Sequence, residues 1–182
     1  MPTDTRISDA NASWDYNGHT YGLYKTLKTW DQANTFAQSK GGYLVHVDTL
    51  AENSNILQQV TANFTATDFD TSYAVDGGVA SYVWLGASDA SVEGTWRWVN
   101  DGTLLSSTVG APNTNWGNGL GWSANGGTIK TGAGEPDNST DFSATGQDYL
   151  ALALEPWPYL ASSPNFQLGG AGQWNDVAGY KN

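Results

Sequence analysis

Helix signals are confined to the first third of this 182-residue chain, and that distribution limits the folds open to it. Thr29 with Gln32, and Thr49 with Glu52, have the spacing of a capping box that begins a helix. The first of these helices is expected to end at Gly41-Gly42, where glycine can supply a left-handed C-cap. No helix is predicted beyond the second one, so a long helical bundle is not expected.

The remaining ordered segments have the composition of short β-strands. They are residues 19–25, 43–47, 82–87, 95–99 and 149–154. Stretches rich in Gly, Asn, Ser and Thr lie at about 61–80, 106–134 and 155–173, and loops of such length are uncommon unless they are functional. The pattern predicts an α+β domain over residues 14–182, preceded by a polar N-terminal arm or linker at 1–13.

Composition excludes several classes of function. The formal net charge of −11 argues against nucleic-acid backbones and anionic membranes as partners, but it is compatible with a hard cation such as Ca²⁺. With no cysteine, the chain can form no disulfide, thiolate metal site or catalytic thiol. The two histidines, His19 and His46, are expected to be structural. No apolar run is long enough to span a membrane, and the N-terminus shows no signal-peptide pattern.

Four short motifs carry carboxylate or amide groups. Glu135-Pro136-Asp137 alone is best explained as a type I turn, and Trp174-Asn175-Asp176 as a buried tryptophan before an Asx turn. Gln147-Asp148 directly precedes a strand, and Asp89 and Glu93 bracket a short loop. The alternative is that these oxygens converge on one Ca²⁺, which takes six to eight oxygen ligands from several segments.

Taken together and in order, the motifs resemble those of the C-type lectin-like domain over nearly the whole chain. The matching segments are Thr29–Ala33 (TWDQA), Gly41-Gly42, Trp84-Leu85-Gly86, Glu93–Trp98 (EGTWRW), Thr114-Asn115-Trp116, Gly134–Asn138 (GEPDN), Gly146-Gln147-Asp148 and Gly172–Asp176 (GQWND). The resemblance implies an α+β double-loop fold. In that fold two helices flank small antiparallel sheets, and a long irregular loop region binds calcium and ligand.

The resemblance also implies the site residues. A principal calcium position would be formed by Glu135, Asp137, Gln147, Asn175 and Asp176. A second, auxiliary calcium position would fall on Asp89, Glu93 and Asp148. Pro136 is expected to follow a cis peptide bond, as the proline between the first two ligands does in the family.

The chain departs from the family pattern at several positions. The tripeptide is E-P-D, a hybrid of the usual E-P-N and Q-P-D, while Gln147 stands where an acid is usual, so three carboxylates are kept. Ala37, Tyr149 and Gly179 occupy positions of family cysteines, which favours a bacterial protein. The chain ends before the family's last strand, so either that strand is missing or residues 14–25 pair differently.

The function that the resemblance implies is calcium-dependent carbohydrate binding without catalysis. Vicinal sugar hydroxyls, such as those of fucose, mannose or glucose, would coordinate the ion directly, with Glu135 and Asp137 as acceptors and Gln147 and Asn175 as donors. Trp122 and Trp157 are expected at the surface as stacking platforms, and Trp116 in the core. Partners would be cell-surface glycans or free saccharides.

Two other classes of function stay open at this point. One is a calcium-stabilised domain that binds protein or ice. The other is an enzyme, which is disfavoured because the chemistry of the related enzymatic fold requires cysteine. We expect the chain to be an extracellular or cell-surface module of a longer multidomain adhesin, with its secretion signal elsewhere.

Overall fold

The structure is a computed structural model, and it describes residues 5–118, 121–123, 128–130, 134–140, 146–157 and 168–179. After a short 3₁₀ turn at Thr5–Ile7, strands β1 (Ala12–Tyr16) and β2 (His19–Leu23) form an antiparallel hairpin. Its tight turn is Asn17-Gly18, and both residues have the positive φ that such hairpin turns require. Strand β1 thus includes Ala12 and Ser13, which were predicted to belong to the N-terminal arm.

Two helices follow, as predicted: α1 (Trp30–Ser39) and α2 (Leu50–Asn63). The complete capping box is present at Thr29 and Gln32, and Gly41 has the expected left-handed φ of +70°. At α2 only half of the predicted box forms. The Thr49 hydroxyl accepts from the Glu52 backbone N–H, but the Glu52 carboxylate accepts from the Asp48 N–H and from the buried hydroxyl of Tyr21.

The main sheet is antiparallel, with the strand order β4-β3-β7-β8. Its members are β4 (Arg97–Trp98), β3 (Tyr82–Ser88), β7 (Tyr149–Ala153) and β8 (Trp174–Val177). A separate two-stranded sheet contains β5 (Gly121–Ser123) and β6 (Thr128–Lys130). Small antiparallel sheets with a few helices confirm the predicted α+β class. No helix in the described part of the chain is both long and apolar enough to cross a membrane.

Three local predictions need correction. Residues 43–47 do not form a strand, because only Val45 accepts a backbone hydrogen bond from β3, at Gly86. A short helix, α3 (Ala66–Thr71), lies where a loop was predicted, and Thr65 with Asp68 forms its capping box. Strand β8 was not predicted either, since its polar residues suggested a turn.

Both faces of the main sheet are buried, in two separate cores. The first core lies between the sheet, the hairpin and α2, and it contains the buried indoles Trp96, Trp98, Trp116 and Trp174. The second core is smaller and consists of Ala74, Ala80, Tyr82, Ala151, Ala153, Trp157 and Val177. Alternate residues of β7 enter the two cores, as the period of a strand requires.

Candidate functional site

Three carboxylates converge beside the outer strand of the main sheet. Ligand oxygens of Glu135, Asp137 and Asp176 all lie within 4.8 Å of one another. Glu135 and Asp176 are buried, whereas Asp137 is exposed. Among the residues that the structure describes, no other set of three acidic or histidine residues meets this distance. With two buried members and one exposed member, the cluster could hold a cation and would open to solvent on one side.

Asp176 joins strand β8 to the loop that carries the other two carboxylates. Its Oδ1 accepts from the backbone N–H of Asp137 at 3.2 Å, and its Oδ2 accepts from that of Asn138 at 2.7 Å. The Glu135 N–H donates to the carbonyl of Gly117 at 2.9 Å, which fixes the other end of the loop. The peptide bond between Glu135 and Pro136 is cis, the state that the resemblance implies.

The two amide side chains of the predicted principal site are buried next to it, each with a protein partner. Gln147 Oε1 accepts from the N–H of Ser139 at 3.1 Å, and its Nε2 donates to the carbonyl of Asp76 at 2.9 Å. Asn175 Nδ2 donates to the hydroxyl of Tyr82 at 3.0 Å. One amide hydrogen of each residue is therefore used inside the protein, which leaves at most one for a ligand.

The electrostatics of the three carboxylates favour a bound cation. Burial raises the pKa of Glu135 well above its ordinary range, and the neighbouring charges of Asp176 and Asp137 raise it further. Burial, followed by the charge of Asp137, raises the pKa of Asp176 to about 7. Oxygen Oε2 of Glu135 is buried without a hydrogen-bond donor. A divalent cation would neutralise the repulsion and occupy this oxygen.

The residues of the predicted auxiliary site are neighbours, but they do not converge in the same way. Asp89 is buried, with Oδ2 accepting from the Gly94 N–H at 2.9 Å and Oδ1 without a partner. Burial raises its pKa to about 6, and the charges of Glu93 and Asp148 contribute. Asp89, Glu93 and Asp148 do not form a group of three carboxylates whose oxygens all lie within 4.8 Å of one another.

The predictions made for three tryptophan residues have different outcomes. Trp157 was expected at the surface, and this is wrong. Its side chain is only 1% exposed, because the indole packs in the second core, and its Nε1 donates to Glu135 Oε1 at 3.3 Å. Trp116 is buried, as predicted. The backbone of Trp122 is in β5, but its side chain lies outside the described part of the structure.

Two residues that support the site, Asp76 and Tyr82, were not predicted from the sequence. Asp76 accepts from Gln147 through its carbonyl and from the N–H of Ala178 through its carboxylate, so it joins two of the segments around the carboxylates. Tyr82 orients Asn175. An acid before two glycines in a polar stretch is a weak signal for Asp76, and the sequence offers none for Tyr82.

Comparison with known proteins identifies the family of this chain. The family model of the lectin C-type domain matches residues 26–141, which is more than half of the chain. A snaclec coagulation factor IX-binding protein of Protobothrops flavoviridis is 37% identical over 81 residues, covering 43% of this chain and 54% of that protein. A perlucin-like protein of Mytilus galloprovincialis is 31% identical over 96 residues, covering 52% and 53% respectively. The chain thus spans about half the length of these curated relatives.

Solved structures support the fold independently. The carbohydrate-recognition domain of the human scavenger receptor C-type lectin superposes with a TM-score of 0.56 at 20% identity. The superposition covers 93% of this chain and 90% of that chain. An identity this low supports the fold and nothing finer. The matched family model and the shared fold together show that this chain belongs to the C-type lectin domain family.

Proposed function

We propose that this domain binds carbohydrate through a calcium ion held by Glu135, Asp137 and Asp176. The observation that carries the proposal is the buried Glu135 Oε2, which no donor reaches although two further carboxylates lie within 4.8 Å. A buried carboxylate oxygen without a donor is costly unless the group takes up a proton or binds a cation, and the raised pKa of Glu135 reports that cost. Amide oxygens of Gln147 and Asn175 would complete the protein ligands.

The ligand would be a sugar that coordinates the ion with two neighbouring hydroxyls. One side of the carboxylate group is exposed at Asp137, so the ion would keep coordination positions open to solvent. The site is rich in acceptors and poor in free donors, because Gln147 Nε2 and Asn175 Nδ2 already have protein partners. Sugar hydroxyls would act mainly as donors to Glu135 and Asp137. Fucose, mannose and glucose have suitable hydroxyl pairs.

The wider setting is also a proposal. We infer an extracellular or cell-surface module of a longer protein, such as a bacterial adhesin. The absence of cysteine supports a bacterial origin. Weak binding of single sugars, expected of an open site, would then gain strength from many copies on one surface. No step in this function requires catalysis.

A glycan array with calcium, repeated in EDTA, tests the proposal. Asp137→Ala should abolish glycan binding, because it removes an exposed ligand of both ion and sugar. Asp70→Ala is the matched control, since it removes another exposed acid, on α3 and outside the carboxylate group. Glycan signals that persist in EDTA or in Asp137→Ala would contradict the proposal. Retention of a protein or of ice crystals without any glycan would favour the alternative ligand classes.

A further inference from the structure

The two oxygens of the Glu135 carboxylate have different surroundings. Oε1 accepts a hydrogen bond from the indole Nε1–H of Trp157 at 3.3 Å. Oε2 is buried and receives no hydrogen bond. The carboxylate is therefore held on one side by a neutral donor from the second core. Its other oxygen is left for the space between Glu135, Asp137 and Asp176.

Two glycines form the slot that holds the indole. A Cβ atom at Gly169 would lie 1.9 Å from Cη2 of Trp157, and one at Gly117 would lie 2.6 Å from Cζ2. Neither position therefore tolerates a side chain without moving the ring. The carbonyl of Gly117 also accepts the N–H of Glu135 at 2.9 Å. The indole and the carboxylate are thus located by the same residue.

The backbone on both sides of the slot is hydrogen-bonded. Trp157 N–H donates to the carbonyl of Gly169 at 3.0 Å, and Leu168 N–H donates to the carbonyl of Trp157 at 2.7 Å. Because the ring is only 1% exposed and is held in this way, its N–H direction is fixed. A fixed donor on a metal-binding carboxylate restricts the orientation of that ligand.

We propose that Trp157 is a positioning residue for calcium binding, which it promotes by orienting Glu135 so that Oε2 faces the ion. The inference rests on the proposed calcium site. It concerns a residue outside the segment 26–141 that the family model matches. Trp157 packs in the second core and donates to Glu135 Oε1, so it would act on the ion through Glu135.

The test compares Trp157→Phe with Trp30→Phe. The first substitution removes the donor to Glu135 and keeps an aromatic ring. The second removes an equivalent buried donor, since Trp30 is 4% exposed and its Nε1 bonds the carbonyl of Leu85 at 2.8 Å. Calorimetric calcium titration gives the Kd, and thermal unfolding in EDTA gives the stability of the metal-free protein.

We expect Trp157→Phe to raise the calcium Kd by about 10-fold, the lower end of losses seen for outer-shell partners. Trp30→Phe should leave the Kd unchanged, although both variants unfold at lower temperature in EDTA. An unchanged Kd in Trp157→Phe would overturn the positioning role while leaving the calcium site intact. A wild-type protein that binds no calcium would instead refute the site itself.

Failure to fold is also informative. If Trp157→Phe does not fold even with calcium, Trp157 serves the core and the positioning role is wrong. Gly169→Ala provides a second check, because it retains the indole but adds a Cβ that the ring must move to accommodate, which disturbs its bond to Glu135. A folded Gly169→Ala protein should also bind calcium more weakly, and unaltered affinity would contradict the proposal.

Discussion

Asp137 and Asp176 belong to the same carboxylate cluster but have different structural roles. Asp176 is fully buried, and both of its oxygens accept backbone N–H groups from the loop that carries Asp137. Replacing Asp176 would therefore disturb the loop as well as any ion. Asp137 is exposed and lies at the open side of the cluster. It is the position at which a ligand oxygen can be removed with the least structural damage.

We predict that Asp137→Ala affects mainly the binding of calcium and sugar, whereas Asp89→Ala affects mainly the stability of the fold. Asp137→Ala should weaken calcium binding by more than about 100-fold, beyond the loss typical of an outer-shell partner, and should abolish sugar binding. Asp89→Ala should keep sugar binding and change only the unfolding free energy, because the Gly94 N–H loses its acceptor, at a cost of roughly 1 kcal/mol, while the burial penalty of the carboxylate is relieved. Calorimetry and urea unfolding measure the two effects. Full sugar affinity in Asp137→Ala would refute the principal site.

Among the elements, β3 determines how the segment after α1 packs. A Cβ at Gly86 would lie 2.4 Å from the carbonyl oxygen of Leu44, so glycine permits a close backbone approach. That approach allows a single hydrogen bond, from Gly86 N–H to the carbonyl of Val45 at 2.8 Å. A regular ladder does not follow, which is why an apolar, β-branched segment does not become a strand.

Gly86→Ala tests this packing. The added methyl group meets backbone atoms, which cannot rotate away, so we expect a loss of about 1–3 kcal/mol in unfolding free energy. Gly42→Ala is the control, because its Cβ would lie 3.8 Å from the nearest atom, the carbonyl oxygen of Ala37. Urea unfolding should show little change for the control. Equal stability of the two variants would show that the close approach is unimportant.

The elements that sequence patterns predicted are those with local signals. Helices α1 and α2 have N-cap residues and apolar periodicity, and β3 and β7 have apolar runs. Strand β8 was missed because Asn175 and Asp176 interrupt any apolar pattern, and it is stabilised by pairing with β7. Pairing between distant segments has no local signature.

The same limit applies to the site. Glu135, Asp137 and Asp176 were named because the resemblance to the C-type lectin-like domain implies them, and the structure brings them together. The partners of the site, Tyr82 and Trp157, are buried aromatic residues whose polar atoms reach it from the second core. A sequence shows a tryptophan in a long loop-like stretch but not the glycine slot that buries it, so Trp157 was misplaced at the surface.

For the molecule as a whole, some of the acids that make the chain strongly negative are buried. The chain has a formal net charge of −11, and burial raises the pKa of Asp176 to about 7 and that of Asp89 to about 6. In the absence of calcium, the fold therefore retains protons that the unfolded chain, with an ordinary aspartate pKa of 3.8, has already released. A calcium ion at the proposed principal site would remove this penalty there.

Stability should therefore depend on pH in a calcium-sensitive way. Between about pH 4 and pH 7 the calcium-free native state binds more protons than the unfolded state, so its unfolding free energy falls as pH rises. In EDTA, we predict a lower Tm at pH 8 than at pH 5. The increase in Tm on adding calcium should be larger at pH 8. Calorimetric scans at both pH values decide this, and a calcium effect that is greater at pH 5 would contradict it.

In the proposed function, sugar and calcium bind as one unit. If a sugar coordinates the ion directly, linkage requires that it tighten calcium binding by the factor by which calcium tightens sugar binding. The most direct measurement is the calcium Kd, determined calorimetrically without sugar and then in saturating mannose or fucose. We predict that the sugar lowers the calcium Kd by at least about 5-fold, a typical minimum for coupled sites. An identical Kd with and without sugar would contradict the account.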